Sequence, residues 1–148
     1  MGFEFKNFNE LTVNELYDIL QLRSEIFVVE QNCVYNDLDS LDKTATHQML
    51  KKEGKVIAYA RLLKPGTRFP DYSIGRVVVE ITERGKGVGI NLMEEAKKYM
   101  VKNWNAKKIK VSAQQYLRRF YENLGFEVVT EMYLEDGIPH LGMLFREK

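Results

Sequence analysis

The stretch Ile74-Gly-Arg-Val-Val-Val-Glu-Ile-Thr-Glu-Arg-Gly-Lys-Gly-Val-Gly-Ile-Asn-Leu-Met93 decides how the rest of the chain is arranged. Val77, Val78 and Val79 are a β-branched run, the composition of a buried strand end. Arg84-Gly-Lys-Gly-Val-Gly89 follows, with glycine at every second position. Beyond it Leu92, Met93, Ala96 and Met100 recur at helical spacing, which predicts a helix that opens in or just after the glycine turn. A strand that feeds a glycine turn and then a helix makes an anion site. The first helical turn carries N–H groups with no partner in the helix, at the positive end of the dipole. Glycines let that backbone curl around an anion with no Cβ in the way, and Arg84 and Lys86 bring charge to the same place. The spacing is neither the dinucleotide Gly-x-Gly-x-x-Gly nor a P-loop, which needs Lys-Ser/Thr at its end. The plainer alternative is a tight turn in which Gly89 only lets helix and sheet pack closely.

The totals narrow the classes around this motif. A chain of 148 residues is long enough for one domain with a proper core and too short for two typical ones, so residues 1–148 read as a single domain. A net charge of +1 gives no bulk electrostatic case for nucleic acid or an anionic membrane. The single cysteine, Cys33, excludes an internal disulfide, and two distant histidines offer no zinc spacing. Met1-Gly-Phe-Glu lacks a basic n-region and an apolar h-region, and no apolar run approaches membrane length. A cytoplasmic, metal-free soluble protein is the expectation.

Outward from the central stretch, Phe3 and Phe5, with Phe8 as a further candidate, alternate with polar residues and predict a first strand. Asn9 or Thr12 caps the next helix, Thr12 with Glu15 three residues on as a capping box, and that helix is expected to run to about Glu30. Leu16, Ile19, Leu20, Ile26 and Phe27 define its apolar face, and at 100° per residue Arg23 and Glu30 fall in the same arc. Charged residues on such a stripe are either paired or line a polar cavity. The acidic stretch with Asp37, Asp39 and Asp42 lacks the Gly and terminal Glu of a calcium loop, so it reads as a loop or short helix over a site mouth, which with Glu30 would be acidic and attract a cationic group. Residues 47–52 and 55–63 predict a hairpin through Glu53-Gly54. Val56 to Ala60 is nearly all apolar, a central strand. Tyr72 to Glu80 is the next strand, with Arg76 at its start. Lys107 to Ser112 is another. The segment from Gln114 to Leu124 carries a helix with Leu117, Phe120, Tyr121 and Leu124 at i, i+3, i+4, i+7, stopped by Gly125. Val128-Val129 starts a strand, Glu135 to Pro139 is a turn, and Leu141 to Phe145 is the last strand. The fold class expected is α+β: a mixed, mostly antiparallel central sheet with helices on both faces.

This element order, with Arg-Gly-x-Gly-x-Gly after an apolar strand, resembles the GCN5-related N-acetyltransferases (GNAT family) over essentially the whole chain. Within the family it is most similar to the ElaA-like group, through Arg23-Ser-Glu-Ile-Phe-Val-Val-Glu-Gln31, Asp39-x-x-Asp42-x-x-x-x-His47 and Glu135-Asp-Gly-Ile-Pro-His140. The resemblance implies a GNAT-type acyl-CoA N-acyltransferase fold and acetyl-CoA as cofactor. It implies that Val77, Val78 and Val79 run beside the pantetheine arm. Arg84, Gly85, Lys86, Gly87, Val88 and Gly89 would hold the pyrophosphate, and Gln114 would contact the cofactor where Asn is usual. Phe120-Tyr-Glu-Asn-Leu-Gly-Phe126 looks like the family's Tyr-x-x-x-Gly-Phe segment.

The expected reaction is direct attack of a primary amine, of a small molecule or peptide, on acetyl-CoA in a ternary complex. A strand amide near Val79 would polarise the carbonyl. Tyr121, protonated at neutral pH, would serve the departing sulfur, although its spacing fits a core tyrosine equally well. Glu30, His140 and His47 are candidates to take the amine's proton. Arg23, Phe27, Glu30, His47, Arg76 and His140 are assigned to the acceptor. Cys33 reads as incidental. A monomer or homodimer is expected. Alternatives are a non-catalytic acyl-CoA-binding module, an acyltransferase with a longer acyl donor of the acyl-homoserine lactone synthase kind, and a nucleotide-binding protein.

Overall fold

The glycine turn separates a sheet strand from a long helix, as its flanks predict. The computed structural model describes residues 2–148. In chain order the elements are β1 (Glu4–Asn7), α1 (Val13–Arg23), a π-helical turn (Ser24–Glu30), β2 (Thr46–Lys52), β3 (Lys55–Leu63), β4 (Tyr72–Val79), α2 (Val88–Trp104), β5 (Lys108–Gln114), α3 (Arg118–Glu122), β6 (Phe126–Val128), β7 (Tyr133–Glu135) and β8 (Ile138–Arg146). The strands form one sheet in the order β1-β2-β3-β4-β5-β8-β6, with β7 also on β8. Every pairing is antiparallel except that of β4 with β5. No helix among the described residues is long and apolar enough to cross a membrane.

Two features of β4 create the site. It pairs with β5 only at Tyr72 and Ser73, against Ile109 and Lys110. Beyond that point the strands part, and a wedge opens towards Val79 and Gln114. The register with β3 also slips between Tyr59 and Arg61, so β4 carries a bulge. Arg76 sits in it with φ 50°, a left-handed value uncommon for a residue other than glycine. The sequence reading put Arg76 at the strand's start; the bulge places it mid-strand and turns it towards the wedge.

The sheet's faces are covered as its alternation dictates. Leu92, Met93, Ala96 and Met100 of α2 and Tyr121 of α3 pack on Leu62, Ile74, Ile109, Val111, Ala113, Leu141 and Met143. Ile19 and Leu22 of α1 and Ile26 of the π-helical turn pack with Met49, Val56, Tyr59 and Val78 on the opposite face. Each fully buried Leu or Met stabilises by roughly 1.5–3 kcal/mol. The Thr12–Glu15 capping box forms: Glu15 N–H donates to Thr12 Oγ1 at 3.0 Å and Thr12 N–H to Glu15 Oε1 at 2.9 Å. Both two-residue hairpins, Glu53-Gly54 and Asp136-Gly137, have φ positive at both positions, the type I′ geometry that matches strand twist.

Four expectations are corrected. The first α-helix ends at Arg23, and Ser24–Glu30 continues as a π-helical turn. A π turn advances fewer degrees per residue, so Glu30 leaves the arc that Arg23 occupies and is exposed. The strand expected to end at Ser112 runs on to Gln114, and the helix after it shrinks to Arg118–Glu122. Tyr133–Glu135 forms a strand that the sequence reading missed. Lastly, Asp37, Asp39 and Asp42 do not form an open acidic mouth, because arginines neutralise them, as described below.

Candidate active site

The wedge between β4 and β5 is a cleft of about 650 Å³, within the range of small-ligand sites. One wall is the glycine turn and the start of α2. Gly85 and Gly87 both have φ 78°, and Gly87 caps α2 in the left-handed region. The first intrahelical bond runs from Asn91 N–H to Gly87 O, at 3.1 Å. The N–H groups of Val88, Gly89 and Ile90 therefore have no helical acceptor, and no acidic side chain stands in that first turn. Val88, Gly89 and Ile90 line the cleft, together with Arg84, Gly85 and Gly87. This donor set has the chemistry of a diphosphate site.

The floor is β4. Glu80 N–H bonds to Ile57 O at 2.8 Å, so in an antiparallel ladder the groups of Val79 face the other way. There β5 has already diverged. Arg84 Nε donates to Val79 O at 3.1 Å, and the Val79 N–H faces the cleft. Val77 and Val78 line it as well.

Tyr121 lies opposite, on α3, and is 6% exposed. It lines the cleft, with Phe120 packed edge-on against its ring. Burial first, and Tyr116 second, push its phenol above the ordinary tyrosine value; no hydrogen bond is among the causes. Gln114, at the end of β5, faces the cleft too.

On the other side Val111, Ala113, Leu141 and Met143 point to α2, so Ser112, Gln114 and His140 project from the opposite face. His140 is stacked on Tyr133. Its Nδ1 lies 2.7 Å from Ile138 O. A carbonyl only accepts, so Nδ1 carries the hydrogen and Nε2 of the neutral ring is an acceptor. Nε2 is 3.6 Å from Glu135 Oε2. Two acceptors that face each other make a place for a proton. Glu135 also takes Arg68 Nη2 at 2.7 Å and Ser112 Oγ at 3.2 Å.

The structure brings Tyr121, His140, Glu30, Phe27, Arg76, Gln114, Val77, Val78, Val79, Arg84, Gly85, Gly87, Val88 and Gly89 to one cleft. It does not bring Arg23, His47 or Lys86 there. Arg23 is 0% exposed and serves a buried ion network: its Nε pairs with Asp37 Oδ2 at 2.8 Å and its Nη1 with Asp42 Oδ1 at 2.7 Å. Arg61 joins through Asp39 and Asp42, and Arg76 through Asp37. His47 is equally buried, between Tyr59 Oη at 2.6 Å and Asp42 O at 2.8 Å, and burial pushes its pKa down. Lys86 turns out to solvent and pairs with Glu83 at 3.4 Å. Glu30 pairs with Arg84 at 3.0 Å. Cys33, read as incidental, lines the cleft. Sequence reasoning missed Glu135, Ser112, Arg68 and Tyr35. A two-residue Asp-Gly turn fixes Glu135 opposite Ile138 and Tyr133 opposite His140, and that register was the available signal.

The family model of the acetyltransferase (GNAT) domain matches residues 18–146. The chain belongs to the GNAT acetyltransferase family. Protein ElaA of Escherichia coli K12 is 44% identical over 137 residues, 91% of this chain and 90% of the relative, which puts this GNAT protein in the ElaA-like group. An acyl-CoA N-acyltransferase from Pseudomonas aeruginosa superposes with a TM-score of 0.91 at 42% identity, over 98% of this chain and 99% of that one. The catalytic domain of the Tetrahymena GCN5 histone acetyltransferase, in complex with coenzyme A, gives a TM-score of 0.72 at 17% identity, over 98% and 92%. That last likeness shows the fold alone. Together they establish the GNAT fold and an acyltransferase class for the chain.

Proposed function

We propose that this GNAT protein transfers the acetyl group of acetyl-CoA to a primary amine, by direct attack within a ternary complex. The observation that carries the reading is the pairing of two features on one cleft: an open helix N-terminus with glycines and Arg84, and a buried phenol with no hydrogen-bond partner among the described residues. When bound, acetyl-CoA supplies an acetyl thioester. The N–H groups of Val88, Gly89 and Ile90, with Arg84, hold its diphosphate. Val77 to Val79 lie along its arm, and Gln114 contacts it from β5. The Val79 N–H is the donor for the oxygen that gains charge as the amine adds. Tyr121 keeps its proton well past neutral pH and gives it to the departing thiolate. His140 Nε2 takes a proton from the amine, and Glu135 beside it steadies the cation so formed. Glu30, on the opposite wall, is the alternative base, and in the free protein its carboxylate is paired with Arg84. Phe27 and Arg76 line the acceptor's path.

The test is a thiol-release screen of acetyl-CoA against small amines and peptides. Amine-dependent release supports acetyl transfer. Release only with longer acyl donors replaces it with the acyl-homoserine lactone synthase kind of chemistry. Binding of coenzyme A without release on any amine makes the protein a binding module, and protection by ATP or NAD in preference to coenzyme A removes the acyl-CoA reading.

A further inference from the structure

Arg84 stands in the anion loop, yet its guanidinium is committed across the cleft. Its Nη1 bridges to Glu30 Oε2 at 3.0 Å, and its Nε donates to Val79 O at 3.1 Å. Glu30 closes the π-helical turn on the opposite wall. Both side chains line the cleft, and both are substantially exposed. An ion pair so exposed is weak, on the scale of a few-fold in an equilibrium constant, and a diphosphate is a stronger partner for a guanidinium than one carboxylate is.

The other carboxylates near the acceptor's path, Asp136 excepted, have cations of their own. Asp37, Asp39 and Asp42 are held by Arg23, Arg61 and Arg76, and Glu135 by Arg68. Asp136, at the tip of the β7–β8 hairpin, is unpaired among the described residues and adds to the same rim. Glu30 is thus the carboxylate whose cation a second ligand can claim.

We infer that Arg84 exchanges partners when the cofactor's diphosphate enters, and that the Glu30 carboxylate so released is the contact for the acceptor's ammonium group. The inference rests on the proposed acyl-CoA reading and adds two things to it. Glu30 becomes a specificity residue that selects cationic amines, and its charge is available only in the loaded protein. Cofactor and cationic acceptor then bind with positive coupling, equal in both directions. In the free protein Glu30 competes with the diphosphate for Arg84 and weakens cofactor binding.

Calorimetric titration of coenzyme A into the wild type, Glu30→Gln, Arg84→Gln and the double variant tests the exchange. Glu30→Gln removes the competitor and binds coenzyme A about two- to fivefold more tightly than wild type. Arg84→Gln binds it more weakly, and Glu30→Gln adds nothing in that background. Steady-state kinetics with the best amine of the screen then show Glu30→Gln raising the acceptor KM about tenfold or more, with a smaller change in kcat. Equal or weaker coenzyme A binding by Glu30→Gln overturns the exchange, and an unchanged acceptor KM overturns the role in recognition. Either result leaves acetyl transfer standing, whereas a wild type that neither binds coenzyme A nor releases thiol removes both.

Discussion

In the proposed mechanism Tyr121 and His140 carry the proton transfers, and they are held by opposite means. Packing holds Tyr121: Phe120 and Phe126 flank its ring edge-on, and its hydroxyl has no hydrogen-bond partner among the described residues. Changing Tyr121 to Phe keeps the packing and removes the donor. The expected outcome is a fall in kcat of roughly 10²-fold with the melting temperature nearly unchanged, read by thiol release and thermal denaturation. Because burial raises the phenol, wild-type activity shows no loss attributable to Tyr121 up to about pH 10. His140 is held by hydrogen bonds and strand register. In His140→Gln the side chain still fits β8 but takes up no proton, and kcat is expected to fall by about 10²-fold while coenzyme A binds as before in calorimetry. At this scale the sequence was legible wherever a side chain's neighbours are local. The place of Tyr121 on the cleft follows from its position in Phe120 to Phe126, but that of Glu135 does not, because its neighbours are His140 across the hairpin and Arg68 across the cleft. Arg23 was legible as an anomaly, a cation on an apolar stripe. Which of its two meanings held depended on three aspartates that only the folded loop brings to it.

Elements carry the site by where they begin and end. The start of α1 depends on Glu15, which closes the capping box and receives Lys51 Nζ at 2.6 Å and Lys6 Nζ at 2.9 Å. Burial works to raise its carboxyl, but Lys51, the Thr12 N–H and Lys6 outweigh it and hold it down at about 2 from an ordinary 4.5. The folded protein therefore resists taking this proton, while the unfolded chain takes it near pH 4.5. The stabilisation is complete above pH 4.5 and fades as pH falls towards 2. Glu15→Gln is expected to lose about 1 kcal/mol at neutral pH and to flatten that acid limb, measured as melting temperature against pH. The cap was readable from Thr12 and Glu15 alone, as both hairpin turns were from Glu-Gly and Asp-Gly. The π-helical turn was not, since Ser24 to Glu30 continues an α-compatible pattern. Its wider winding is favoured by what it seats, Ile26 against the core and Glu30 against Arg84. The divergence of β4 from β5 was likewise invisible, because no local residue announces where a parallel pairing stops.

At the scale of the whole molecule the proposed cofactor and acceptor half-sites have separate supports in the sheet. The cofactor side depends on α2 and α3, whose shared core with β4, β5 and β8 is apolar. The acceptor side depends on a buried ionic network that ties α1, the loop at 31–45, β3 and β4 together through Arg23, Asp37, Asp39, Asp42, Arg61 and Arg76. Three arginines and three aspartates balance there, and Asp42 is the shared acceptor of Arg23 and Arg61. Burial alone would raise its carboxyl, but Arg23 and Arg61 hold it below the usual carboxylate range. Asp42→Asn keeps the shape and removes the charge, leaving two buried guanidinium groups under-compensated. Breaking such a pair costs about 3–5 kcal/mol, so the melting temperature is expected to fall by roughly 10 °C. The wild type gains this stabilisation in full above the ordinary aspartate value of 3.8 and loses it as pH drops below that point; the variant lacks that acid-dependent step. The two half-sites respond differently, because α2 and its glycine turn share no member of the network. Below its melting point Asp42→Asn should therefore bind coenzyme A close to wild-type affinity while its acceptor KM rises, since Arg76 and Tyr35 are placed through Asp37 in the loosened loop. Calorimetry and acceptor kinetics on the same preparation separate these effects, and parallel loss of both affinities would mean that the cleft folds as one indivisible unit.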